Sequence, residues 1–355
     1  MNRIFVSIAS YRDKKCSATL QSLFSNAKHP QNVFVGICHQ NKKGEDLEIC
    51  TMKPPTTSPP NTKSVDVEMY NNNISVINVD YTDAKGPTWA RYLCSTLWNG
   101  EEYFLQIDSH VLFVKDWDEK CIRMITEIQQ KYGNQKVLLS HYTSLYEQFD
   151  QPNPNNNVPR ICQSFFNDRG MISFMGAESL TTGFNEYNQS PYIAAGFIFA
   201  PSSFIVDVPF DPYLDYVFVG EEILLSARAF TSGYNVYTPS ENICFHYYTR
   251  EGESKIWDDK SYSDQNAFDN IKKILKLQEG NPNVHDRYNL GKERTLQQFY
   301  DYAGIDIKNK TVVKNFCRES FEADTISQSG YSLFWVITVL VVLVIIGIAI
   351  LFLVQ

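Results

Sequence analysis

Short apolar runs alternate with amphipathic stretches along the first third of the chain. The apolar runs have the length and β-branched composition of buried strands, and they lie at residues 3–9, 33–38, 74–79 and 102–108. Amphipathic stretches at residues 16–27 and 88–98 predict helices that follow the first and third of these strands. This alternation is typical of a doubly wound, mostly parallel sheet, so we expect an α/β fold with helices on both faces.

The same pattern continues with longer connections through the middle of the chain. It predicts further strands at residues 137–140 and 193–200, and helices at residues 222–231 and 263–277. The segments 53–63 and 151–160 are rich in proline or asparagine and are expected to be exposed loops.

The end of the sequence has a different character. Residues 333–354 are a run of 22 residues without a charged side chain. At about 1.5 Å per residue, such a helix is roughly 33 Å long, which suffices to cross a hydrocarbon core of ~30 Å. A helix in a soluble core is amphipathic, whereas this run is apolar on all sides. We therefore expect a single-pass transmembrane tail anchor at 333–354, with the rest of the chain on the cytosolic side of a membrane.

Composition narrows the class of protein. Hydrophobic residues make up 43% of the chain and charged residues 20%, so a large core is available and global disorder is excluded. The formal charge of −8 argues against a general nucleic-acid binder. The 8 cysteines are spread singly without a CxxC pair, and the N-terminal segment reads as a first strand rather than a signal peptide. We therefore expect free cysteines in the reducing cytosol.

The first candidate for chemistry is Asp108-Ser109-His110, directly after the strand at 102–108. In α/β folds, ligands bind at the carboxyl ends of the strands. A spacing of two in an extended chain directs Asp108 and His110 to the same side. A carboxylate and an imidazole suit Mn²⁺ or a similar divalent cation. The motif is short, and a turn with a hydrogen-bonded histidine is the alternative interpretation.

Two further candidates lie later in the chain. Glu221 and Glu222 follow Gly220 at the start of the helix predicted for 222–231. The helix dipole accounts for one glutamate in a first turn, and two in succession indicate a site. His246 lies among aromatic residues and would by itself be interpreted as a core histidine, with Arg250 as a surface charge. A cation held by only Asp108 and His110 needs another protein ligand, which makes His246 a candidate.

Several segments together resemble a known family. They are SIASYRD from Ser7, GPTWAR from Gly86, QIDSH from Gln106, AAGFIFAPSSF from Ala194, VPFDPYL from Val208, FVGEE from Phe218, TSGYNVYTP from Thr231, FHYYTR from Phe245 and YNLGKERTLQQFYDYAGID from Tyr288. In this order they resemble the hydroxyproline-directed α-N-acetylglucosaminyltransferases, cytosolic enzymes that modify an F-box adaptor and are related to mucin-type polypeptide N-acetylgalactosaminyltransferases. The resemblance covers residues 3–306, so we expect a catalytic domain at 1–306 and a juxtamembrane linker at 307–332.

The resemblance implies a GT-A fold, a Rossmann-like mixed sheet, and a role for particular residues. Asp108, His110 and His246 match the metal ligands of the family. The matches to the residues that bind the nucleotide are Ser7, Tyr11, Arg12, Arg91 and Asp108. Glu221 matches a glutamate near the donor sugar and the acceptor, where it would orient substrate, while Glu222 would serve mainly the helix dipole.

The expected activity is that of a metal-dependent, retaining glycosyltransferase. It would move a sugar, N-acetylglucosamine above all, from a UDP-sugar to a protein hydroxyl or a glycan, with Mn²⁺ or another divalent metal as cofactor. A nucleotidyl- or phosphoryl-transferase is a weaker alternative because no GxGxxG or GxxxxGK[ST] loop occurs. The other alternative is a non-catalytic carbohydrate- or nucleotide-sugar-binding membrane protein with a glycosyltransferase-like fold.

Overall fold

A computed structural model describes residues 2–44, 67–153, 156–176, 178–181 and 187–317. In chain order the strands are β1 Ile4–Tyr11, β2 Val33–Asn41, β3 Ile74–Asp80, β4 Tyr103–Asp108, β5 Val111–Phe113, β6 Val137–Ser140, β7 Ser144–Leu145, β8 Asn157–Arg160, β9 Ser164–Phe166, β10 Ile172–Phe174, β11 Glu178–Thr181, β12 Asn188–Ser190, β13 Phe197–Pro201, β14 Asn235–Thr238, β15 Cys244–His246, β16 Ile305–Asp306 and β17 Thr311–Val312. The α-helices are α1 Cys16–Asn26, α2 Pro87–Ser95, α3 Trp117–Tyr132, α4 Ser203–Asp207, α5 Glu221–Thr231, α6 Ile256–Asp259, α7 Gln265–Ile274 and α8 Leu296–Ala303. Short 3₁₀ helices cover Pro30–Asn32, Val67–Asn73, Tyr81–Asp83, Tyr146–Gln148 and Asp286–Tyr288.

The central sheet is mixed, as expected for the fold. Within the described residues it has eight strands in the order β12-β14-β6-β13-β4-β1-β2-β3. Strands β3, β2, β1 and β4 run parallel to one another, whereas β13 is antiparallel to both β4 and β6. Phe197 at the start of β13 pairs with Ile107 near the carboxyl end of β4. The chain therefore enters β13 from that edge, which reverses the strand direction.

Helices cover both faces of the sheet because apolar side chains occur on both sides of its strands. Ile4, Val6 and Ile8 of β1 belong to a core that includes side chains of α1 and α3. Phe5, which points to the other face, packs in a core with residues of α4 and α5. The alternation has the period of two that a strand imposes. The prediction of an α/β fold with helices on both faces is thus confirmed.

A separate apolar core supports the start of α5. It combines buried residues of α5, α7 and α8, such as Leu224, Phe268 and Phe299. The helix predicted for 263–277 is present as α7, and the strand predicted for 193–200 begins only at Phe197. Residues 194–196 instead lie in a loop at the carboxyl edge of β4, where they line a cavity.

The prediction of free cysteines is confirmed for Cys38, Cys94, Cys121 and Cys244 and is wrong for Cys16, Cys162 and Cys317. Cys162 and Cys317 form a disulfide with a Cα–Cα distance of 5.0 Å, and Cys16 is disulfide-bonded as well. The spacing of 155 residues gives no sequence signal for the Cys162–Cys317 pair, which tertiary folding alone brings together. Such bonds persist in oxidising compartments. The cysteines therefore give no support for placing the body in the cytosol.

The described residues belong to one compact unit. No helix among them is both long and apolar enough to span a membrane. The predicted anchor at 333–354 and nearly all of the predicted linker at 307–332 lie outside the described residues, and the domain boundary at 306 stays a prediction.

Candidate functional site

A cavity of about 640 Å³ lies at the carboxyl edge of the central sheet. The ends of β1, β2, β4 and β15 reach it together with the first turns of α2 and α5, and residues 141–143, which follow β6, line it as well. Its lining includes most of the residues singled out from the sequence, namely Tyr11, Arg91, Asp108, His110, Glu221, Glu222 and His246. The volume is in the range of small-molecule and cofactor sites.

Asp108, His110 and His246 come together in this cavity. Asp108 ends β4, and the antiparallel pairing of β15 with β5 places His246 opposite Val111, beside His110. One potential ligand atom from each of the three residues lies within 4.8 Å of the others. His246 Nε2 lies 3.0 Å from Asp108 Oδ2, and the two imidazole rings are 4.6 Å apart between centroids. We call Asp108, His110 and His246 the metal cluster.

The chemistry of the metal cluster fits a divalent cation. Burial raises the pKa of Asp108, but the hydrogen bond from His246 and the charge of Arg91 outweigh it, so that the pKa lies below its usual range. The cluster therefore offers a carboxylate oxygen and imidazole nitrogens, a donor set that suits a divalent transition-metal ion. A Cβ at Gly196 would lie 3.0 Å from Asp108 Oδ2. Glycine at this position leaves the approach to the carboxylate open.

Asp13 hydrogen-bonds to His110 of the metal cluster, and no sequence pattern pointed to this residue. This side chain is fully buried and accepts hydrogen bonds from Ser109 Oγ at 2.7 Å and from His110 Nδ1 at 2.5 Å. Burial raises the pKa of Asp13, but the hydrogen bond and charge of His110 outweigh it, and the pKa is lowered overall. A buried carboxylate thus forms a hydrogen bond with one of the potential metal ligands.

Arg91 forms a buried ion pair next to the metal cluster. Its guanidinium contacts the Glu221 carboxylate and lies 3.3 Å from Asp108 Oδ1. Burial lowers the pKa of Arg91, but the carboxylates of Glu221 and Asp108 outweigh it and raise the pKa overall. Arg91 therefore stays cationic in the cavity and offers its charge to an anionic group. Glu221, expected to orient substrate, has its carboxylate engaged by this arginine.

Glu222 has a different environment from Glu221. Its carboxyl accepts hydrogen bonds from the backbone N–H of Ala195 at 2.9 Å and from the Tyr142 hydroxyl at 2.7 Å. Burial is the main cause that raises the pKa of Glu222 to about 7. The Nε2 atom of the neighbouring His141 has no hydrogen-bond partner among the described residues. Burial lowers the pKa of His141 to about 4. We call His141, Tyr142 and Glu222 the Tyr142 cluster.

The residues predicted to bind the nucleotide are divided between the cavity and its surroundings. Tyr11 lines the cavity and donates a hydrogen bond to Asp259 at 2.9 Å. Arg12 forms an ion pair with the same carboxylate at 2.8 Å. Ser7 is fully buried in β1 and is not one of the described residues that line the cavity. Arg250, interpreted from the sequence as a surface charge, lines the cavity instead.

Aromatic side chains stand at the edge of the cavity. Phe218 is 63% exposed and Trp257 is 50% exposed, and their rings make an edge-on contact with centroids 5.8 Å apart. Trp257 belongs to α6. Asp259, at the end of the same helix, accepts a hydrogen bond from Tyr11 and forms an ion pair with Arg12. Large exposed aromatic side chains next to a polar cavity are a common feature of ligand-binding surfaces. No periodic pattern predicts this pair, because Phe218 lies in a loop before α5 and Trp257 lies in the short helix α6, far away in sequence.

Known proteins resemble this chain in sequence or in fold. A family model for glycosyltransferase (GlcNAc) matches residues 3–309. No curated protein sequence matches the chain. Among solved structures, GalNAc-T7 with UDP, GalNAc and Mn²⁺ is similar with a TM-score of 0.52 and 13% identity, over 84% of this chain and 54% of that chain. Residues 1–349 of TarS from S. aureus give a TM-score of 0.45 and 13% identity, over 80% of this chain and 67% of that chain.

These comparisons differ in what they establish. The chain spans about half the length of GalNAc-T7, and that similarity shows a shared GT-A-like fold. The family model matches most of the chain, including every member of the metal cluster and of the Tyr142 cluster. The chain therefore belongs to the glycosyltransferase (GlcNAc) family.

Proposed function

We propose that the protein is a metal-dependent, retaining glycosyltransferase that moves N-acetylglucosamine from UDP-N-acetylglucosamine to a protein hydroxyl. The observation that carries the proposal is the convergence of Asp108, His110 and His246 beside the buried cation of Arg91, at the carboxyl edge of the sheet. The family supports a glycosyl transfer, and the GalNAc-T7 structure, which contains UDP, GalNAc and Mn²⁺, supports the class of donor and metal.

Different residues of the cavity have different roles in the proposed reaction. Asp108, His110 and His246 would hold the divalent cation, which when bound supplies positive charge to a diphosphate leaving group. Arg91 adds a fixed positive charge next to the cation site, and a preorganised charge stabilises the charge that develops on the leaving group. Tyr142 and Glu222 offer a hydroxyl and a carboxyl to uncharged hydroxyl groups of a sugar. Retention would follow if the acceptor hydroxyl attacks the anomeric carbon on the face that the diphosphate leaves. The bond from that carbon to the diphosphate breaks, and the departing diphosphate accepts the hydroxyl proton.

The acceptor in this proposal is a hydroxyproline of a protein. Its support is the order of sequence segments shared with the hydroxyproline-directed enzymes, from Ser7 to Asp306. The exposed rings of Phe218 and Trp257 give the edge of the cavity an apolar surface on which a pyrrolidine ring packs well.

The test is a transfer assay with the purified full chain in detergent. UDP-linked N-acetylglucosamine, N-acetylgalactosamine, glucose and galactose are compared, each with Mn²⁺ and with a chelator. The acceptors are one peptide with a central hydroxyproline and the same peptide with proline. We expect UDP release and a mass increase of one N-acetylhexosamine only with hydroxyproline and metal. Donor binding without transfer or hydrolysis under any of these conditions would instead identify a non-catalytic binding protein.

Attachment to a membrane through residues 333–354 is a further part of the proposal. Its support is the length of the uncharged run. Deleting residues 333–355 is expected to release the protein from the membrane fraction while transfer activity is kept. Protease protection of the full chain in sealed vesicles then determines which side of the membrane the catalytic domain faces. A deletion variant that expresses but remains in the membrane fraction would contradict the anchor.

A further inference from the structure

Asp13 lies just beyond the carboxyl edge of the sheet, next to the metal cluster. Strands β1 and β4 run parallel with Ala9 opposite Asp108, so the segments that follow the two strands are neighbours. Arg12 has a φ of 46°, a turn that takes the chain out of β1 and toward α1. Asp13 is consequently brought beside Ser109 and His110, although it is 97 residues away from His110 in sequence.

The hydrogen bonds of Asp13 determine the state of the His110 ring. Asp13 Oδ2 accepts from Ser109 Oγ at 2.7 Å and lies 2.5 Å from His110 Nδ1. An ionised carboxylate only accepts hydrogen bonds, so Nδ1 carries the proton. A ring that is neutral with its proton on Nδ1 has its lone pair on Nε2, the nitrogen that remains for a metal. Asp13 Oδ1 is held in turn by the backbone N–H of Lys15 at 2.9 Å.

We propose that Asp13 is a positioning residue of the metal cluster, which fixes the tautomer and the rotation of the His110 ring so that Nε2 is presented to the cation. The inference rests on the metal-dependent function proposed above. Carboxylates that accept from the second ring nitrogen of a histidine ligand raise its basicity and restrict its orientation, and their loss typically costs about 10- to 100-fold in metal affinity. A side chain that only filled space would not need to place a carboxylate oxygen within hydrogen-bond distance of His110 Nδ1.

The chain offers a matched control in Asp118. This carboxylate is also buried, and it accepts from the backbone N–H groups of Lys28 and His29 at 2.7 and 2.8 Å, away from the cavity. Mn²⁺ affinity of the full chain is measured by electron paramagnetic resonance of the free ion, without any sugar nucleotide. We expect Asp13→Asn to weaken Mn²⁺ binding about 10- to 100-fold. We expect Asp118→Asn to lower the melting temperature with Mn²⁺ affinity unchanged.

A double-mutant cycle separates positioning from the loss of a nearby negative charge. If Asp13 acts through His110, Asp13→Asn has no further effect on Mn²⁺ affinity in the His110→Ala background. An equal loss in both backgrounds, or a wild-type affinity for Asp13→Asn, overturns the inference. If Asp13→Asn does not fold, Asp13→Glu keeps the charge and moves it by one methylene, and unchanged affinity in that variant overturns the inference as well. Absence of Mn²⁺ binding by the unsubstituted chain overturns both this inference and the proposed function.

Discussion

The metal cluster and the Tyr142 cluster share one cavity but handle buried polar groups in different ways. Around the metal cluster, charges are kept: Asp108 stays ionised and the guanidinium of Arg91 lies between two carboxylates. In the Tyr142 cluster, burial works against charge, since the pKa of Glu222 rises to about 7 and that of His141 falls to about 4. Compensated charges suit a cation and a diphosphate, whereas uncharged polar groups suit sugar hydroxyls.

The largest expected effect comes from removing a member of the metal cluster. Asp108→Ala, His110→Ala and His246→Ala should each reduce metal-dependent transfer by about 10²- to 10³-fold or more, since stabilisation of the leaving group is lost. The melting temperature should fall as well, because His110 and His246 are buried and hydrogen-bond to Asp13 and Asp108, so turnover is compared at a temperature at which every variant is folded. Mn²⁺-dependent turnover and thermal unfolding are measured on the same samples. Full activity of His246→Ala with unchanged Mn²⁺ dependence would show that His246 is not a ligand.

The next effect concerns the pair of Arg91 and Glu221. Glu221→Gln leaves a buried guanidinium with only the Asp108 carboxylate beside it, and breaking a buried pair costs roughly 3–5 kcal/mol of stability. Since Arg91 loses its fixed position, we expect weaker UDP binding together with a fall in transfer of about 10- to 100-fold. Calorimetry with UDP and thermal unfolding provide the two measurements.

Glu293→Gln is the control for that substitution. Glu293 is exposed and pairs with Lys136 on the surface, where an ion pair contributes about 0–1 kcal/mol. If Glu221→Gln slows transfer while UDP binding stays unchanged, Glu221 acts on the sugar or the acceptor, as the sequence resemblance implies, rather than through Arg91.

The sequence predicted that Asp108, His110 and His246 lie together, because the signals for these residues are local or follow from counting ligands. Asp108 and His110 follow a predicted strand, and the need for another ligand led to His246. Asp13 gave no comparable signal, because an aspartate after a strand is typical of a turn and its partner is 97 residues away. That partnership depends on the register between β1 and β4, which apolar patterning alone does not determine.

The assignment of Glu221 and Glu222 shows a second limit of sequence reasoning. Successive positions of an α-helix differ by about 100° in direction, so two adjacent glutamates face different surroundings. The pattern indicated a site at the start of α5 but not which glutamate meets Arg91 and which meets Tyr142. Fold class, by contrast, follows from periodicity, which many residues determine together.

A smaller effect is expected for Glu222→Gln. The amide keeps an acceptor for the Ala195 N–H, so we expect transfer at neutral pH to fall by about tenfold or less. The effect on stability depends on pH, because the pKa of Glu222 is about 7 in the folded state against an ordinary 4.5. Below pH 4.5 the carboxyl is protonated in both states. Between the two values only the unfolded state ionises, so wild-type stability falls as pH rises toward 7 and then levels off.

Glu222→Gln removes this titration. Its melting temperature relative to wild type should therefore be higher at pH 8.5 than at pH 4, by the equivalent of about 1 kcal/mol or more in unfolding free energy. The hydrogen bond from Tyr142 lowers the pKa of Glu222, so Tyr142→Phe should move the wild-type titration to higher pH. A melting-temperature difference that does not vary with pH would show that Glu222 ionises normally, and the contrast between the two clusters would then be lost.

The smallest effect on catalysis is expected for the disulfide between Cys162 and Cys317. Cys162 lies just before β9, which pairs with β10, and Ile172–Phe174 of β10 flank Tyr142 and Glu222 in a small side pocket. Replacing both cysteines with serine should lower the free energy of unfolding by about 2–4 kcal/mol, because the bond restricts a long segment of the unfolded chain. Mn²⁺ affinity should not change, since the metal cluster is held by β4 and β15. Denaturant unfolding and Mn²⁺ titration of the variant test both expectations, with Cys121→Ser, a buried free cysteine, as the control. A loss of Mn²⁺ affinity in the double-serine variant would show that the metal cluster depends on the segment around β9, and the two clusters would then have to be treated as one cooperative site.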